Sequence, residues 1–138
     1  MKRTRILRGK LRFRSMTSYK VGTVVDFIAK GETPNTWRMV LVEEGPWDEI
    51  ENELRRLQNR LYDCLDAALD GQLYDKFPAT KGMIITLQLD GYNLPEKEVS
   101  DFFEAFSANV LNIEDYVIAI KGNEFVNGFE FKLNLESL

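Results

Sequence analysis

The side chains that could do chemistry fall into a few groups, and the first is a run of cations. Seven of the first fifteen residues are basic (Lys2, Arg3, Arg5, Arg8, Lys10, Arg12 and Arg14), and none is acidic. Cations that each displace a counterion from a polyphosphate make a nucleic-acid contact whose affinity collapses with salt. Leu11 and Phe13 alternate with Lys10, Arg12 and Arg14, so the segment can also form a strand with its charges on one face. The preferred alternative is a solubilising tail, or sequence translated upstream of a start at Met16, because nothing later in the chain continues the positive surface.

The second group is acidic. Glu43, Glu44, Asp48, Glu49, Glu51 and Glu53 surround Trp47. Carboxylates around an aromatic anchor make a docking face for a basic partner and speed its association. The same acids also suit the start of a helix, where they meet its positive dipole end. Their spacing matches no calcium-loop pattern, so no metal site is expected.

The chain has no histidine and one cysteine, Cys64. Without histidine there is no Ser-His-Asp or Cys-His nucleophile, no HExxH zinc site and no imidazole acid–base near neutral pH. Cys64 falls in register with Leu57 and Leu61 on a helical stripe, beside Asp63 and Asp66, which disfavour a thiolate. It reads as a small core hydrophobe. A lone cysteine forms no internal disulfide and fits a reducing cytoplasm. Asp26, between Val25 and Phe27, shares a strand face with Val24 and Ile28. A partly buried carboxylate there is a candidate acid, but more often it accepts backbone or loop hydrogen bonds. The glycines form neither GxGxxG nor a Walker loop. No cofactor is expected.

These residues need elements to position them. Val21–Ala29 reads as a strand, GETPN (31–35) as a turn, and Trp37–Val42 as the returning strand of a hairpin. Asp48 is a candidate N-cap with Glu51 completing a capping box. The following helix has the stripe Ile50, Leu54, Leu57, Leu61, Cys64, Leu65 and Ala68, and Gly71 closes it. Tyr74–Lys81 is a connection, and Met83–Asp90 a third strand, apolar on both faces in its first half and so central. Pro95 opens a second helix with the stripe Val99, Phe102, Phe103, Phe106 and Val110. Asp115–Lys121 reads as a fourth strand, and Phe129, Phe131, Leu133 and Leu135 mark a fifth, buried on one face.

The expected fold is α+β: a single, mostly antiparallel sheet of about five strands, with two amphipathic helices on one face in the order β-β-α-β-α-β-β. Residues 16–138 form a single domain, and residues 1–15 a basic arm. Beyond the arm, 11 basic side chains stand against 22 acidic ones, so a polycationic segment is joined to an acidic globule. No apolar run reaches the length of a membrane span, and the charged first residues, followed by no apolar segment, do not read as a secretory signal.

Several blocks occur together: Val25-Asp26-Phe27-Ile28, Trp47-Asp48, Leu57-Gln58-Asn59-Arg60-Leu61, Gly71-Gln72-Leu73-Tyr74 and Phe77-Pro78. In this order the chain, from about Val24 to Val110, resembles a family of small bacterial proteins of unknown function. The resemblance implies a compact α+β domain of the bacterial cytoplasm and supplies no catalytic residues. The basic arm and a C-terminal hairpin over Val117–Leu135 look like additions to it.

The resulting expectation is a non-enzymatic, cytoplasmic protein-interaction domain, an accessory protein or immunity-type binder of a basic partner, using Glu43, Glu44, Trp47, Asp48, Glu49 and Glu51. The alternatives are nucleic-acid binding through the arm and, last, a carboxylate-dependent enzyme centred on Asp26. A homodimer through the last strand as a sheet edge is also open, although alternating Glu130, Lys132 and Glu136 discourage indiscriminate pairing, and the N-terminal segment Leu11–Arg14 is the alternative cover for that edge.

Overall fold

The computed structural model of the chain describes residues 25–138. The seven cations of the arm, the Leu11/Phe13 alternation and the start of the expected first strand lie outside the described residues.

The expected hairpin is present. β1 (Phe27–Lys30) and β2 (Thr36–Glu44) pair antiparallel, with Phe27 opposite Val40. The turn between them is tied by Gly31 N–H donating to Thr36 C=O at 2.8 Å and by the Thr36 hydroxyl donating to Thr33 C=O at 3.1 Å. The helix that follows, α1 (Ile50–Leu69), buries the expected stripe from Leu57 onward, with Leu57, Leu61, Cys64, Leu65 and Ala68 fully enclosed and Ile50 and Leu54 half-buried. The capping box does not form. Asp48 stands one residue outside the helix, the N-cap is Glu49, and its carboxylate accepts from the Asn52 side chain (2.9 Å) rather than from a backbone N–H. Gly71, at φ +98°, closes the helix as expected.

The expected connection after Gly71 contains a short helix, α2 (Gln72–Lys76), and a 3-10 turn (Pro78–Thr80). β3 (Met83–Tyr92) and α3 (Glu96–Asn109) then match the third strand and second helix. Val99, Phe103, Phe106 and Val110 are buried along the α3 stripe, with Phe102 packed at its margin.

The fourth expected strand is instead a helix, α4 (Glu114–Ile120). Its apolar residues divide as on a helix: Tyr116 is fully buried, whereas Val117 and Ile118 are 47% and 63% exposed. A short apolar run such as Tyr116–Ile120 fits either element, and only its surroundings decide. β4 (Val126–Glu136) completes the chain.

Losing that strand changes the sheet. Among the described residues it has four strands in the order β1-β2-β3-β4 and is mixed: β1–β2 is antiparallel, whereas β2–β3 and β3–β4 are parallel. Each return passes through a helix, which brings the next strand in beside its predecessor in the same direction. The expected C-terminal hairpin is thus a helix followed by a parallel strand. β3 is central, as its apolar faces imply.

Both long helices lie on one face. α1 packs on β3 and on α3, and α3 packs on β4. Met39 and Leu41 of β2 and Ile85, Leu87 and Leu89 of β3 point into this layer and are buried. Phe131 of β4 meets Phe103 and Phe106 of α3 edge-on, with ring centroids 6.4 and 6.1 Å apart. On the opposite face Arg38, Gln88, Asp90 and Asn134 join through side-chain hydrogen bonds of 2.9–3.3 Å.

Candidate functional site

β2 runs two residues past its expected end, and this places Glu43. In a strand every second side chain shares a face, so Glu43 follows Met39 and Leu41 toward the helices. Its side chain is only 5% exposed. Two arginines one turn apart on α1 reach it. Arg56 binds both carboxylate oxygens, at 2.9 and 2.6 Å, and Arg60 binds one of them at 2.9 Å. Arg60 continues to Asp26 at 3.2 Å, and Arg56 to Glu53 at 2.8 Å. Burial works against the charged form of Glu43, but the hydrogen bonds from Arg56 and Arg60 prevail and hold its carboxyl below the ordinary range. Glu43 therefore leaves the expected docking face: it is the anionic centre of a chain of ion pairs that fastens α1 to the sheet.

Asp26 lies at the end of that chain. Its carboxylate accepts the Val42 N–H at 2.7 Å, which ties the chain entering β1 to β2. This is the hydrogen-bonding role expected of it, although its side chain is 37% exposed rather than partly buried. Asp26 and Glu43 do converge on one guanidinium, but arginine N–H groups occupy both oxygens of Glu43. Cys64 is enclosed within the core, and burial pushes its thiol well above the ordinary range.

The other expected docking residues stay at the surface. Glu44, Asp48, Glu49 and Glu51 are exposed, and Trp47 is half-buried against the core. The parallel topology adds to them. β2, β3 and β4 end side by side, with Glu44 level with Tyr92 and Tyr92 level with Glu136. α1 and α3 both start from this end of the sheet, which brings the exposed Glu96, Glu98 and Glu136 toward Glu44, Asp48, Glu49 and Glu51. The one cation of the α3 first turn, Lys97, is paired with Asp101 at 2.7 Å. None of these seven acids forms an ion pair among the described residues, whereas Asp26, Glu32, Glu43, Glu53 and Asp101 each do.

Two arrangements escaped the sequence reading. The Tyr116 hydroxyl donates to the Asp66 carboxylate at 2.7 Å, with both residues fully buried between α4 and α1. An aspartate inside the run Leu65–Leu69 was the available signal. Asn123 uses its whole amide. Its Nδ2 donates to Leu69 C=O (3.1 Å) and Ala119 C=O (3.0 Å), and its Oδ1 accepts from Phe125 N–H (2.8 Å) and Val126 N–H (3.0 Å). It joins the ends of α1 and α4 to the start of β4.

No group of three or more His, Cys, Asp or Glu poised to hold a metal occurs among the described residues. Nor does any helix there have the length and apolarity to cross a membrane.

Fold and site together define a two-layer α+β domain: a mixed sheet with one helical face, clamped by a buried ion cluster and carrying an acidic end. The chain belongs to a family of unknown function (DUF6572), whose family model matches residues 17–123. The family is therefore one of unknown function, as the resemblance implied. The match runs past Val110 to include α4, so of the expected additions only the arm and the segment beyond residue 123, with β4, fall outside it. Comparison with curated proteins and with solved structures yields no match for the chain.

Proposed function

We propose that the protein is a non-enzymatic binding domain whose acidic end takes a basic protein partner. The observation that carries this reading is the set of seven exposed carboxylates, without an ion pair among the described residues, that the parallel strand ends and the two helix starts bring to the end of the sheet that also carries Trp47. Acids at helix starts also offset the dipoles of α1 and α3, but Glu44 and Glu136 lie on strands, where that explanation does not reach. A negative field spread over adjoining elements raises the encounter rate with a cation, and a half-buried tryptophan offers it an apolar anchor. An immunity-type role, in which the domain covers the basic surface of a toxin, is one form of the reading and rests on analogy. A single cysteine held in the core suits the reducing cytoplasm in which this reading places the protein.

The test starts with capture of partners by the full chain, with and without nuclease, and identification of the protein retained. Binding to that protein is then measured for wild type and for a triple variant (Glu44→Lys, Asp48→Lys and Glu51→Lys). The expected result is nuclease-resistant binding that weakens with salt and falls at least about tenfold in the variant. Unchanged affinity in the variant rejects the acidic face. Retention that nuclease abolishes transfers the function to the basic arm.

A further inference from the structure

We propose that the outer edge of β4 is a homodimer interface, at which two copies of the chain pair antiparallel about a two-fold axis through Phe131 and extend the sheet from four strands to eight.

Among the described residues β4 pairs with β3 alone, and no strand there lies along its other edge. Its backbone phase can be read from one bond. Glu136 C=O accepts from Asn93 N–H at 2.8 Å, so the backbone groups of Glu136 face the β3 side. Backbone polar groups alternate in direction along a strand, so those of Asn134, Lys132 and Glu130 face β3 as well. The groups of Leu135, Leu133, Phe131 and Phe129 face outward, and an open edge of this length is a template for another strand.

Charge then selects the partner and the register. With the axis at Phe131, Phe131 meets Phe131 of a second copy, and Phe129 meets its Leu133, each as a hydrogen-bonded pair. Glu130 and Lys132 then fall opposite one another on the other face, twice by symmetry. These are the non-hydrogen-bonded positions, where facing side chains approach most closely. Moving the axis to residue 130 sets Glu130 against Glu130, and moving it to residue 132 sets Lys132 against Lys132. At residue 133 it sets Glu130 against Glu136, and at residue 129 neither charge meets its opposite. The pattern Glu130-Phe131-Lys132 is therefore self-complementary in one register.

Both faces agree with that register. Phe129, Phe131 and Leu133 on the helical face are only partly buried, and the matching row of a second copy continues their layer. Lys132 reaches Glu32 at 3.0 Å across the open face. An ammonium with three donors can hold Glu32 and Glu130 of the second copy together.

The test uses the full chain. Sedimentation at about 100 µM gives a dimer for wild type, while Glu130→Lys and Lys132→Glu each raise the dissociation constant at least about tenfold. The double variant, Glu130→Lys with Lys132→Glu, restores the dimer, because it swaps both charges in the same pairs. Circular dichroism confirms that each variant is folded. Amide exchange on wild type supplies an independent readout: the Phe131 N–H is protected at high concentration and loses that protection on dilution. A monomeric wild type overturns the proposal, as do single variants that remain dimeric or a folded double variant that stays monomeric. Protection of Phe131 that ignores dilution also overturns it, and shows that another part of the same chain covers the edge.

Discussion

Arg56 grips Glu43 with two parallel hydrogen bonds, one to each carboxylate oxygen, across the boundary between α1 and the sheet. A bidentate pair fixes direction as well as distance, so it sets the rotation of α1 about its own axis while the apolar stripe supplies the adhesion. Glu43 is buried and Arg56 is 46% exposed, so water already serves part of the guanidinium. The cluster is therefore worth less than a fully enclosed pair. Glu43→Gln should cost about 1–3 kcal/mol at neutral pH.

The pH dependence follows from the lowered carboxyl of Glu43. Its ordinary value is 4.5, and its folded value lies below that. The unfolded state then binds the proton first as pH falls, so the contribution is full above the ordinary value and is lost as pH drops through the folded one. Urea unfolding at pH 7, 5 and 3 should show the gap between wild type and Glu43→Gln narrowing at pH 3. A gap that keeps its size at pH 3 contradicts the ionised pair.

Asn123 makes a sharper case, because one amide both donates and accepts. Asn123→Ala forfeits four hydrogen bonds in a half-buried setting and should cost about 2–3 kcal/mol. Asn123→Asp keeps the acceptor for Phe125 and Val126 but turns an oxygen toward the carbonyls of Leu69 and Ala119. It should therefore be less stable at pH 7 than at pH 4, where a protonated carboxyl can still donate. Thermal unfolding of the two variants at both pH values decides this. Equal pH profiles for Asn123→Asp and Asn123→Ala reject the donor role.

Cys64 gives a kinetic prediction. Burial raises the thiol and removes it from solvent, so attack needs an opening of the α1 layer. Labelling by an aromatic disulfide reagent at pH 8 should proceed at the rate or population of unfolding, and urea should accelerate it in step with loss of helix signal. Rapid labelling of the native chain contradicts the enclosed thiol.

The parts of this fold legible in the sequence are those in which periodicity and punctuation agree. The stripe of α1 ends on Gly71, the stripe of α3 starts after Pro95, and Phe129 to Leu135 alternate cleanly. The run Asp115–Lys121 carries no such agreement. Its apolar residues suit a strand by composition, and what makes it helical is the burial of Tyr116 against Asp66, a partner fifty positions earlier. That one exchange conceals the parallel topology, because a strand there turns a helix-bearing crossover into a hairpin. The fate of Glu43 was closer to hand. Continuing the alternation of Met39 and Leu41 by one more step points it at α1, where Arg56 and Arg60 stand four apart. Ending the strand at Val42 left Glu43 among the surface acids. The acidic end as a whole was half visible, since Glu44, Asp48, Glu49 and Glu51 fall within one short stretch of sequence, whereas Glu96, Glu98 and Glu136 join them only through the parallel strand order.

Gly71 tests two causes separately. Its φ of +98° is strained for any residue with a Cβ, and a Cβ built there lies 2.9 Å from the ring of Phe125. Gly71→Ala should thus lose about 1 kcal/mol to the backbone and a further 1–2 kcal/mol to crowding against Phe125. Phe125 also packs on Tyr74 of α2, with ring centroids 5.7 Å apart, so the ring cannot retreat without loosening that contact. In a Phe125→Ala background the crowding is gone, and Gly71→Ala should cost only the backbone part. A double-mutant cycle by urea unfolding should therefore give a coupling of about 1 kcal/mol or more between the two positions. If the two costs simply add, the ring is not what excludes a side chain at Gly71, and the whole penalty belongs to the left-handed turn that ends α1.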